Sequence, residues 1–352
     1  MNSTKMTSLQ RVLTALSHKE PDRVPFFLLL TMHGAKELGM SLKEYFSKGE
    51  NVAEGQIRMR DKYRHDCVNN VFYGAIEIEA FGGEVIFNDD GPANSGRPII
   101  SSFEDIQSLQ TPVIKDSPCL FEVLKATELL KSKIRDDAPI LGLVISPFSL
   151  PVMQMGFDKY IELIYERPDL LDILMKKNEE FCVNWANAQL EAGATAIAYF
   201  DPVSSPTITP RELYLKTGFE VAKRTIPRIK GPTATHLASG RCLPIIDDLA
   251  ETGTLGVGTS TIEDLGEMKT ACKGKLSILG NLNGIEMRHW TDEQAEKIVK
   301  EAIAKAGQGG GFILADNHGE IPLQVPGDVL TAISDAVHKW GEYPLDWVKD
   351  ND

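Results

Sequence analysis

The stretch TAIAYFDPVSSPTITPRELYLKTGFEVAKRTIPRIKGPTATHL, residues 195–237, decides the fold of this chain. It begins with the apolar run TAIAYF and ends with the run PTATHL, and a longer connection with helix-forming segments joins the two. The run TAIAYF does not alternate apolar with polar residues in the way that a strand with one solvated face would. Apolar strands that are joined by helices belong to a parallel sheet with both faces covered.

The same pattern recurs along the chain. The predicted strands are FFLLL at 26–30, CVNNVF at 67–72, ILGLVI at 140–145, TAIAYF at 195–200, PTATHL at 232–237, TLGVGT at 254–259, LSILGN at 276–281 and GGFILA at 310–315. Eight such units predict an α/β protein whose strands close into a (β/α)8 barrel, the TIM barrel, rather than an open sheet. We expect a single domain over residues 1–352.

Helices are predicted before, between and beside these strands. Residues 5–18 carry apolar side chains at helical spacing, and two prolines then stop that N-terminal helix. The segment 172–193 ends in a glycine, and 291–307 begins at the N-cap residue Thr291. Residues 73–139 fit the repeating pattern less well and are predicted as an insertion over the barrel mouth, with a helix followed by a short strand or hairpin.

Composition limits the classes of function. The formal net charge is −13 with a pI near 5.1, so a nucleic acid is a poor partner. The five cysteines are odd in number and have no framework spacing, which favours a reducing compartment. No apolar stretch is long enough to cross a bilayer. The sequence therefore predicts a cytoplasmic protein without a membrane partner.

Polar residues follow most of the predicted strands. They are Asn69, Asn70, Ser146, Asp201, His236, Ser260, Asn281, Asp316, Asn317 and His318. In a TIM barrel the chemistry lies where the strands end and the following loops begin. We expect these side chains to gather around one active site, with His236 at its centre.

An ordered series of motifs gives the sequence a family likeness. The motifs are RVLTALSHKEPDRVP at 11–25, ISPFSLPVMQMGFDKYIELIYERPDLLDILM at 145–175, FDPVSSPTITPREL at 200–213, ATHL at 234–237, SILGNLNG at 277–284 and GFILADNHGEIP at 311–322. Together they resemble the uroporphyrinogen decarboxylase superfamily. Within it they most resemble the corrinoid-dependent methyltransferases, which include methylcobalamin:coenzyme M methyltransferases and methoxyl-group demethylases.

Two segments favour the methyltransferases over the decarboxylase. The decarboxylase uses arginines after its Asp-Arg-x-Pro turn to hold the carboxylates of its substrate, but FFLLLTMHGAKELGM at 26–40 contains no arginine. The segment GAIEIEAFGGEVIFNDDGP at 74–92 instead resembles its methyltransferase counterpart. The resemblance therefore implies methyl transfer.

The resemblance also implies a zinc ion. Coenzyme M-type members bind zinc through a His-x-Cys pair after one strand and a further Cys after the last strand. Here His236 keeps the first position, Ala238 replaces the first Cys, and His318 replaces the last Cys. We predict His236 and His318 as metal ligands. The candidates for the remaining ligands are Cys242, Asp316 and Glu320.

Replacing thiolates by nitrogen and oxygen ligands makes a harder Lewis acid, which suits an oxygen leaving group better than a thiol. We therefore predict transfer of a methyl group from a small methylated donor, of the methoxylated class, to a corrinoid. The corrinoid is expected on a separate partner protein, because the Asp-x-His-x-x-Gly motif that binds its cobalt is absent from the sequence. The predicted catalytic residues are His236, His318, Asp201 and Asn281. Without a metal, the two histidines would act as general acids.

Three alternatives stay open at the level of the sequence. One is a decarboxylase that acts on a tetrapyrrole or a smaller acid, and a second is a methylcobalamin:thiol methyltransferase of the coenzyme M type. The third is a non-catalytic binding protein on the same barrel, which the polar strand ends disfavour. A homodimer is an option for the assembly.

Overall fold

The apolar runs of the sequence become the strands of a barrel in a computed structural model, which describes residues 6–317 and 319–348. The strands are β1 Phe26–Phe27, β2 Val68–Asn69, β3 Val85–Ile86, β4 Asn94–Ser95, β5 Ile140–Ile145, β6 Ala196–Phe200, β7 Thr233–His236, β8 Gly256–Gly258, β9 Ser277–Asn283 and β10 Phe312–Asn317. All eight predicted strands are confirmed, and β3 and β4 lie in the predicted insertion.

Helices follow and surround the strands. They are α1 Ser8–Leu16, α2 His33–Leu38, α3 Leu42–Tyr45, α4 Gly49–Tyr63, α5 Ile76–Ala80, α6 Asp105–Ser108, α7 Pro118–Ile134, α8 Pro151–Met155, α9 Phe157–Glu166, α10 Pro168–Glu191, α11 Arg211–Tyr214, α12 Gly218–Thr225, α13 Ile246–Ala250, α14 Leu265–Cys272, α15 Asp292–Ala306 and α16 Gly327–Trp340. Short 3-10 turns lie at Ile114–Asp116, Pro202–Ser204, Ile226–Arg228, Leu243–Ile245 and Glu286–His289.

The barrel strands are parallel and hydrogen-bonded in the order β1, β10, β9, β8, β7, β6, β5, β2. Phe200 of β6 pairs with His236 of β7, and His236 pairs in turn with Gly258 of β8. This order is that of a (β/α)8 barrel, so the predicted fold class is confirmed. The C-terminal ends of the strands consequently meet at one face.

The predicted run over 26–30 forms a strand only at its first two residues. Beyond them the N–H of Leu29 donates to the Asp316 carboxylate, and the N–H of Leu30 turns back to the carbonyl of Leu28. The strand ends early because these backbone donors leave the ladder. The segment after β1 is thereby held against the end of β10.

Helix ends follow the signals in the sequence. Thr7 and Gln10 form a capping box at the start of α1, and Thr291 and Gln294 form a second one at the start of α15. The chain leaves α10 through Gly193 in the left-handed region, at φ 118°. The three helices that we name from the sequence are therefore confirmed.

The predicted insertion contains α5 and an antiparallel hairpin of β3 and β4. Its residues Pro92 and Ala93 reach the cavity at the C-terminal end of the barrel. The insertion lies over the barrel mouth, as the sequence predicts. No helix in the described part of the chain is long and apolar enough to span a membrane.

Candidate active site

A cavity of about 420 Å³ opens where the barrel strands end. This volume is within the range that holds a small organic molecule. The described residues that line it are Phe27, Leu29, Val71, Gly74, Ala75, Pro92, Ala93, Asn94, Ser95, Leu141, Leu143, Ile145, Met153, Ala198, Phe200, Ala234, Thr235, His236, Gly258, Leu279, Ala315, Asp316, Gly319 and Glu320. Most of this wall is apolar.

Three ionisable side chains interrupt the apolar wall: His236, Asp316 and Glu320. Within residues 6–317 and 319–348, the lining contains no lysine and no arginine. When they are ionised, the carboxyl groups of Asp316 and Glu320 therefore give the described wall a negative charge. A ligand with several carboxylates would find no guanidinium or ammonium partner among these residues.

His236 is the last residue of β7 and lines the cavity. Its Nδ1 accepts the N–H of Ala238 at 3.0 Å, and Ala238 lies in the left-handed region at φ 51°. A neutral His236 ring therefore carries its proton on Nε2. The ring centroid of Phe200 lies 5.7 Å from that of His236. The structure thus places His236 where the sequence predicts it.

The His236 ring has room because its neighbour is a glycine. A Cβ added to Gly258 would lie 2.6 Å from Cδ2 of His236, closer than real Cβ contacts allow. Sequence reasoning misses Gly258, because only the pairing of β7 with β8 brings the two residues together. A glycine at the end of a barrel strand is the one signal that points to it.

Asp201 lies behind the cavity wall instead of in it. Its Oδ1 accepts hydrogen bonds from the hydroxyls of Ser146 at 2.5 Å and Ser149 at 2.7 Å. Its N–H donates to the carbonyl of His236 at 2.8 Å. Burial raises the pKa of the Asp201 carboxyl, and the serine hydroxyls oppose that shift. In this position Asp201 can act on the reaction by holding the end of β7.

Asn281 is likewise absent from the described lining. Its Nδ2 donates to the carbonyls of Ser260 and Glu263, each at 2.9 Å. These bonds attach β9 to the loop that follows β8. The position gives Asn281 a structural contact but no contact with the cavity, and its catalytic role stays a prediction.

His318, the other predicted catalytic and metal-binding histidine, lies outside the described residues. Its neighbours Asp316 and Glu320 both line the cavity. Asp316 Oδ1 accepts the N–H of Leu29 at 2.7 Å, and Glu320 Oε2 accepts the hydroxyl of Thr31. Burial raises the pKa of each carboxyl to about 7, and these hydrogen bonds oppose the shift.

The described residues do not form a thiolate-rich metal centre. Across 6–317 and 319–348, no group of three His, Cys, Asp or Glu side chains is placed to hold one metal ion. Cys242 is buried in the core and donates its Sγ–H to Glu263 Oε2 at 3.3 Å, and burial raises the pKa of its thiol. It does not line the cavity. The zinc ion stays a prediction from the resemblance, and none of the chemistry proposed for the site depends on it.

Comparison with known proteins places the chain in a family. The family model described as uroporphyrinogen decarboxylase (URO-D) matches residues 7–340. A uroporphyrinogen decarboxylase from Pseudoalteromonas atlantica is 25% identical over 369 aligned residues, which cover 97% of this chain and 98% of the relative. The methylcobamide:CoM methyltransferase MtbA from Methanosarcina mazei is 24% identical over 310 residues, covering 85% of this chain and 90% of that protein.

Among solved structures, a methyltransferase from Methanosarcina mazei superimposes with a TM-score of 0.85 at 21% identity. The superposition covers 95% of this chain and 99% of the other. At this identity the likeness shows a shared fold. The family match over 7–340, together with the barrel and its polar strand ends, establishes that this chain belongs to the uroporphyrinogen decarboxylase family.

Proposed function

We propose that this chain transfers a methyl group from a small methylated donor to the cobalt of a corrinoid that a separate protein carries. Methoxylated compounds are the favoured class of donor. The observation that carries the proposal is the wall of the cavity, which is apolar and, over the described residues, without lysine or arginine. Such a wall suits a small apolar donor and offers no counter-ion to a polycarboxylate.

One of the relatives supports a methyl-transfer chemistry. It is named a methylcobamide:CoM methyltransferase, and that name describes the transfer of a methyl group carried on a cobamide. By analogy we assign this chain a corrinoid protein as its partner. The carrier would approach from the barrel mouth, because the cavity opens at the C-terminal ends of the strands.

The chemistry needs a donor oxygen that can accept charge. In the proposed step, the bond between the methyl carbon and the donor oxygen breaks, and its electron pair stays on the oxygen. The electron pair of cobalt(I) forms the new carbon–cobalt bond. His236 would donate its Nε2–H to the donor oxygen, since its Nδ1 already accepts the Ala238 N–H. The apolar wall would keep water away from the reduced cobalt.

The direct test is methylation of free cob(I)alamin under anaerobic conditions, followed by the loss of the cobalt(I) absorption and the gain of methylcobalamin. Donors to compare are 2-methoxyphenol, methanol and methylated amines. Transfer from a methoxylated donor supports the proposal. No transfer from any of these donors would contradict it, and decarboxylation of uroporphyrinogen by the same protein would favour the decarboxylase instead.

Replacement of His236 by alanine is expected to lower the rate of methyl transfer about 100-fold or more, because a positioned proton or hydrogen-bond donor contributes on this order. His338→Asn, on the outer helix α16, is the matched control and should leave the rate unchanged. Urea denaturation of both variants would separate a loss of folding from a loss of function. Equal rates in the two variants would remove His236 from the mechanism.

A second candidate follows from the relatives that carry the name uroporphyrinogen decarboxylase, one of which aligns over 97% of this chain. That activity would require partners for the carboxylates of the substrate, and the described cavity wall contains none. We therefore expect no decarboxylation of uroporphyrinogen. A thiol acceptor in the presence of methylcobalamin tests the coenzyme M type of reaction in the same assay.

A further inference from the structure

Two carboxyl groups face one cavity from a single segment of chain. Asp316 is the residue before last in β10 and Glu320 lies in the loop that follows, and both line the cavity. The segment after β1 holds each of them, through the Leu29 N–H to Asp316 and the Thr31 hydroxyl to Glu320. Because β1 pairs directly with β10, the barrel fixes the position of Asp316, and the Thr31 hydroxyl holds Glu320 in the loop that follows.

The surroundings of the two carboxyls are unusual for acidic residues. Asp316 is only 7% exposed, and the wall around it consists of residues such as Leu29, Leu279 and Ala315. The other ionisable group in the described lining is His236. A buried carboxyl normally has a cationic partner, and none of the described lining residues is a lysine or an arginine. A ligand in the cavity can therefore donate hydrogen bonds to this pair.

We infer that Asp316 and Glu320 determine the class of donor: it has an apolar body and a polar group that donates hydrogen bonds and carries no negative charge. This inference rests on the proposed function for the identity of the ligand as a methyl donor. The polar group is a hydroxyl, as in a methoxyphenol, or an ammonium group. Carboxylates and sulfonates are excluded, because two acidic side chains in an apolar wall would repel them at short range and low dielectric.

The two residues are specificity-determining and not proton donors in this scheme. Their oxygens accept hydrogen bonds from the donor and set its orientation, so that its methyl group points to the barrel mouth. A site that is built to hydrogen-bond a hydroxyl rejects an analogue without one more strongly than an apolar pocket rejects an extra methylene. The acidic pair thus recognises the polar end of the ligand, and the apolar wall contacts the body of the ligand.

Equilibrium binding tests the inference without any need for methyl transfer. The ligands are 2-methoxyphenol, 1,2-dimethoxybenzene, 4-hydroxy-3-methoxybenzoate and a benzylic N-methylamine, titrated at pH 8 by calorimetry with the full-length protein. We expect 2-methoxyphenol or the amine to bind at least about tenfold more tightly than the other two, which corresponds to roughly 1.4 kcal/mol. Tighter binding of 2-methoxyphenol would identify a hydroxyl as the recognised group, and tighter binding of the amine would identify an ammonium group.

The variants Asp316→Asn and Glu320→Gln keep the shape of the side chains and remove one negative charge each. In both, binding of 4-hydroxy-3-methoxybenzoate should improve relative to 2-methoxyphenol by about tenfold. The control is Glu293→Gln, an exposed acid in the first turn of α15, which should leave the ratio unchanged. A third variant, Thr31→Val, removes the hydroxyl that holds Glu320 and should weaken selectivity without changing the charge.

The inference is wrong if the benzoate binds the wild-type protein as tightly as the uncharged methoxyphenol does, or if the ratio in the two charge variants equals that of Glu293→Gln. Selective binding without any methylation of cob(I)alamin would overturn the proposed function and leave the selectivity standing. Equally efficient methylation from donors with and without a carboxylate would support the proposed function and overturn the selectivity. The two failures are therefore distinguishable.

Discussion

The imidazole of His236 depends on its neighbours in the two adjoining strands. Phe200 of β6 pairs with it on one side and Gly258 of β8 on the other, and the Ala238 N–H donates to its Nδ1. The carbonyl of His236 accepts the N–H of Asp201. The ring is therefore positioned by the ends of β6 and β8 and by the loop that directly follows β7.

Gly258→Ala is expected to disturb the site without any change to His236 itself. The new methyl group would lie 2.6 Å from His236 Cδ2, which is too close, so we expect the ring to shift away from it and from its hydrogen bond with Ala238. A misplacement of about 1 Å can cost on the order of 100-fold in rate. The measurement is methylation of cob(I)alamin. Gly91→Ala is the control, because a Cβ at Gly91 meets no atom within 4 Å; a similar loss in both variants would contradict the prediction.

At the scale of elements, β5 is longer than its neighbour β2, so part of β5 has no strand partner on that side. β2 pairs with β5 only through Val68 and Asn69, so the polar backbone of β5 after Leu141 needs other partners. The amide of Gln189 accepts the Leu143 N–H at 3.1 Å and donates to the Leu143 carbonyl at 2.9 Å. Side chains from helices replace the missing strand at this place.

The side chain of Glu77 provides a further hydrogen-bond partner for the unpaired backbone of β5. Its Oε1 accepts the Ile145 N–H at 2.9 Å, while Oε2 has no hydrogen-bond partner among the described residues. The side chain is 1% exposed, and burial raises the pKa of its carboxyl to about 8. Beside it lies a small cavity of about 20 Å³, which is enough for one water molecule. A buried carboxyl of this kind makes the stability of the protein depend on pH.

The sign of this dependence follows from the raised pKa. Between the ordinary pKa of 4.5 and the folded value of about 8, the folded protein binds a proton that the unfolded chain has released. This group therefore lowers the free energy of unfolding as pH rises through that window, and the loss is complete above it. Glu77→Gln removes the effect, so the variant should resemble the wild type near pH 5 and exceed its stability by a few kilocalories per mole near pH 9.

Urea denaturation at pH 5, 7 and 9 measures this difference. Glu128→Gln, an exposed position on α7, is the matched control and should follow the wild type at all three pH values. Parallel pH profiles for Glu77→Gln and the wild type would show that the Glu77 carboxyl does not titrate within this window.

The start of α15 provides a second prediction at this scale. Thr291 Oγ1 accepts the Gln294 N–H at 3.3 Å, and Gln294 Oε1 accepts the Thr291 N–H at 2.8 Å. Thr291→Ala removes half of this capping box and should lower the free energy of unfolding by about 1 kcal/mol. Thr291→Ser keeps a hydroxyl and should stay close to the wild type in urea denaturation. Equal values for the two variants would argue against the cap.

At the scale of the whole molecule, the barrel closes at a seam between β1 and β2, which end the hydrogen-bonded order of strands. Asp66 bridges this seam. Its N–H donates to the Phe26 carbonyl at 2.8 Å, and its Oδ2 accepts the Phe26 N–H at 2.9 Å. The guanidinium groups of Arg11 and Arg23 donate to the same carboxylate at 2.7 and 2.8 Å. One fully buried acid thus connects the N-terminal helix with both ends of the sheet.

Asp66→Ala is expected to lower the free energy of unfolding by about 3 to 5 kcal/mol, because it leaves the buried guanidinium of Arg23 without its carboxylate partner and Arg11 with Asp22 alone. The comparison is Asp169→Ala, which removes the carboxylate of an exposed ion pair with Arg167. That change should cost much less, because exposed ion pairs contribute little to stability. Denaturation in urea with an unchanged m-value would test both, and similar losses in the two variants would refute the role of Asp66 at the seam.

The sequence by itself determined the eight strands, their order along the chain, the N-terminal helix, the insertion and the position of His236. These features follow from local patterns, since apolar runs, caps and glycine stops act over a few residues. Only the tertiary structure decided which polar strand ends face the cavity. It brought Asp316 and Glu320 into the wall and placed the side chains of Asp201 and Asn281 behind it. The physical reason is that closure of the barrel sets the direction of each side chain, and the hydrogen bonds made there join residues that are distant in the sequence, such as Leu29 with Asp316.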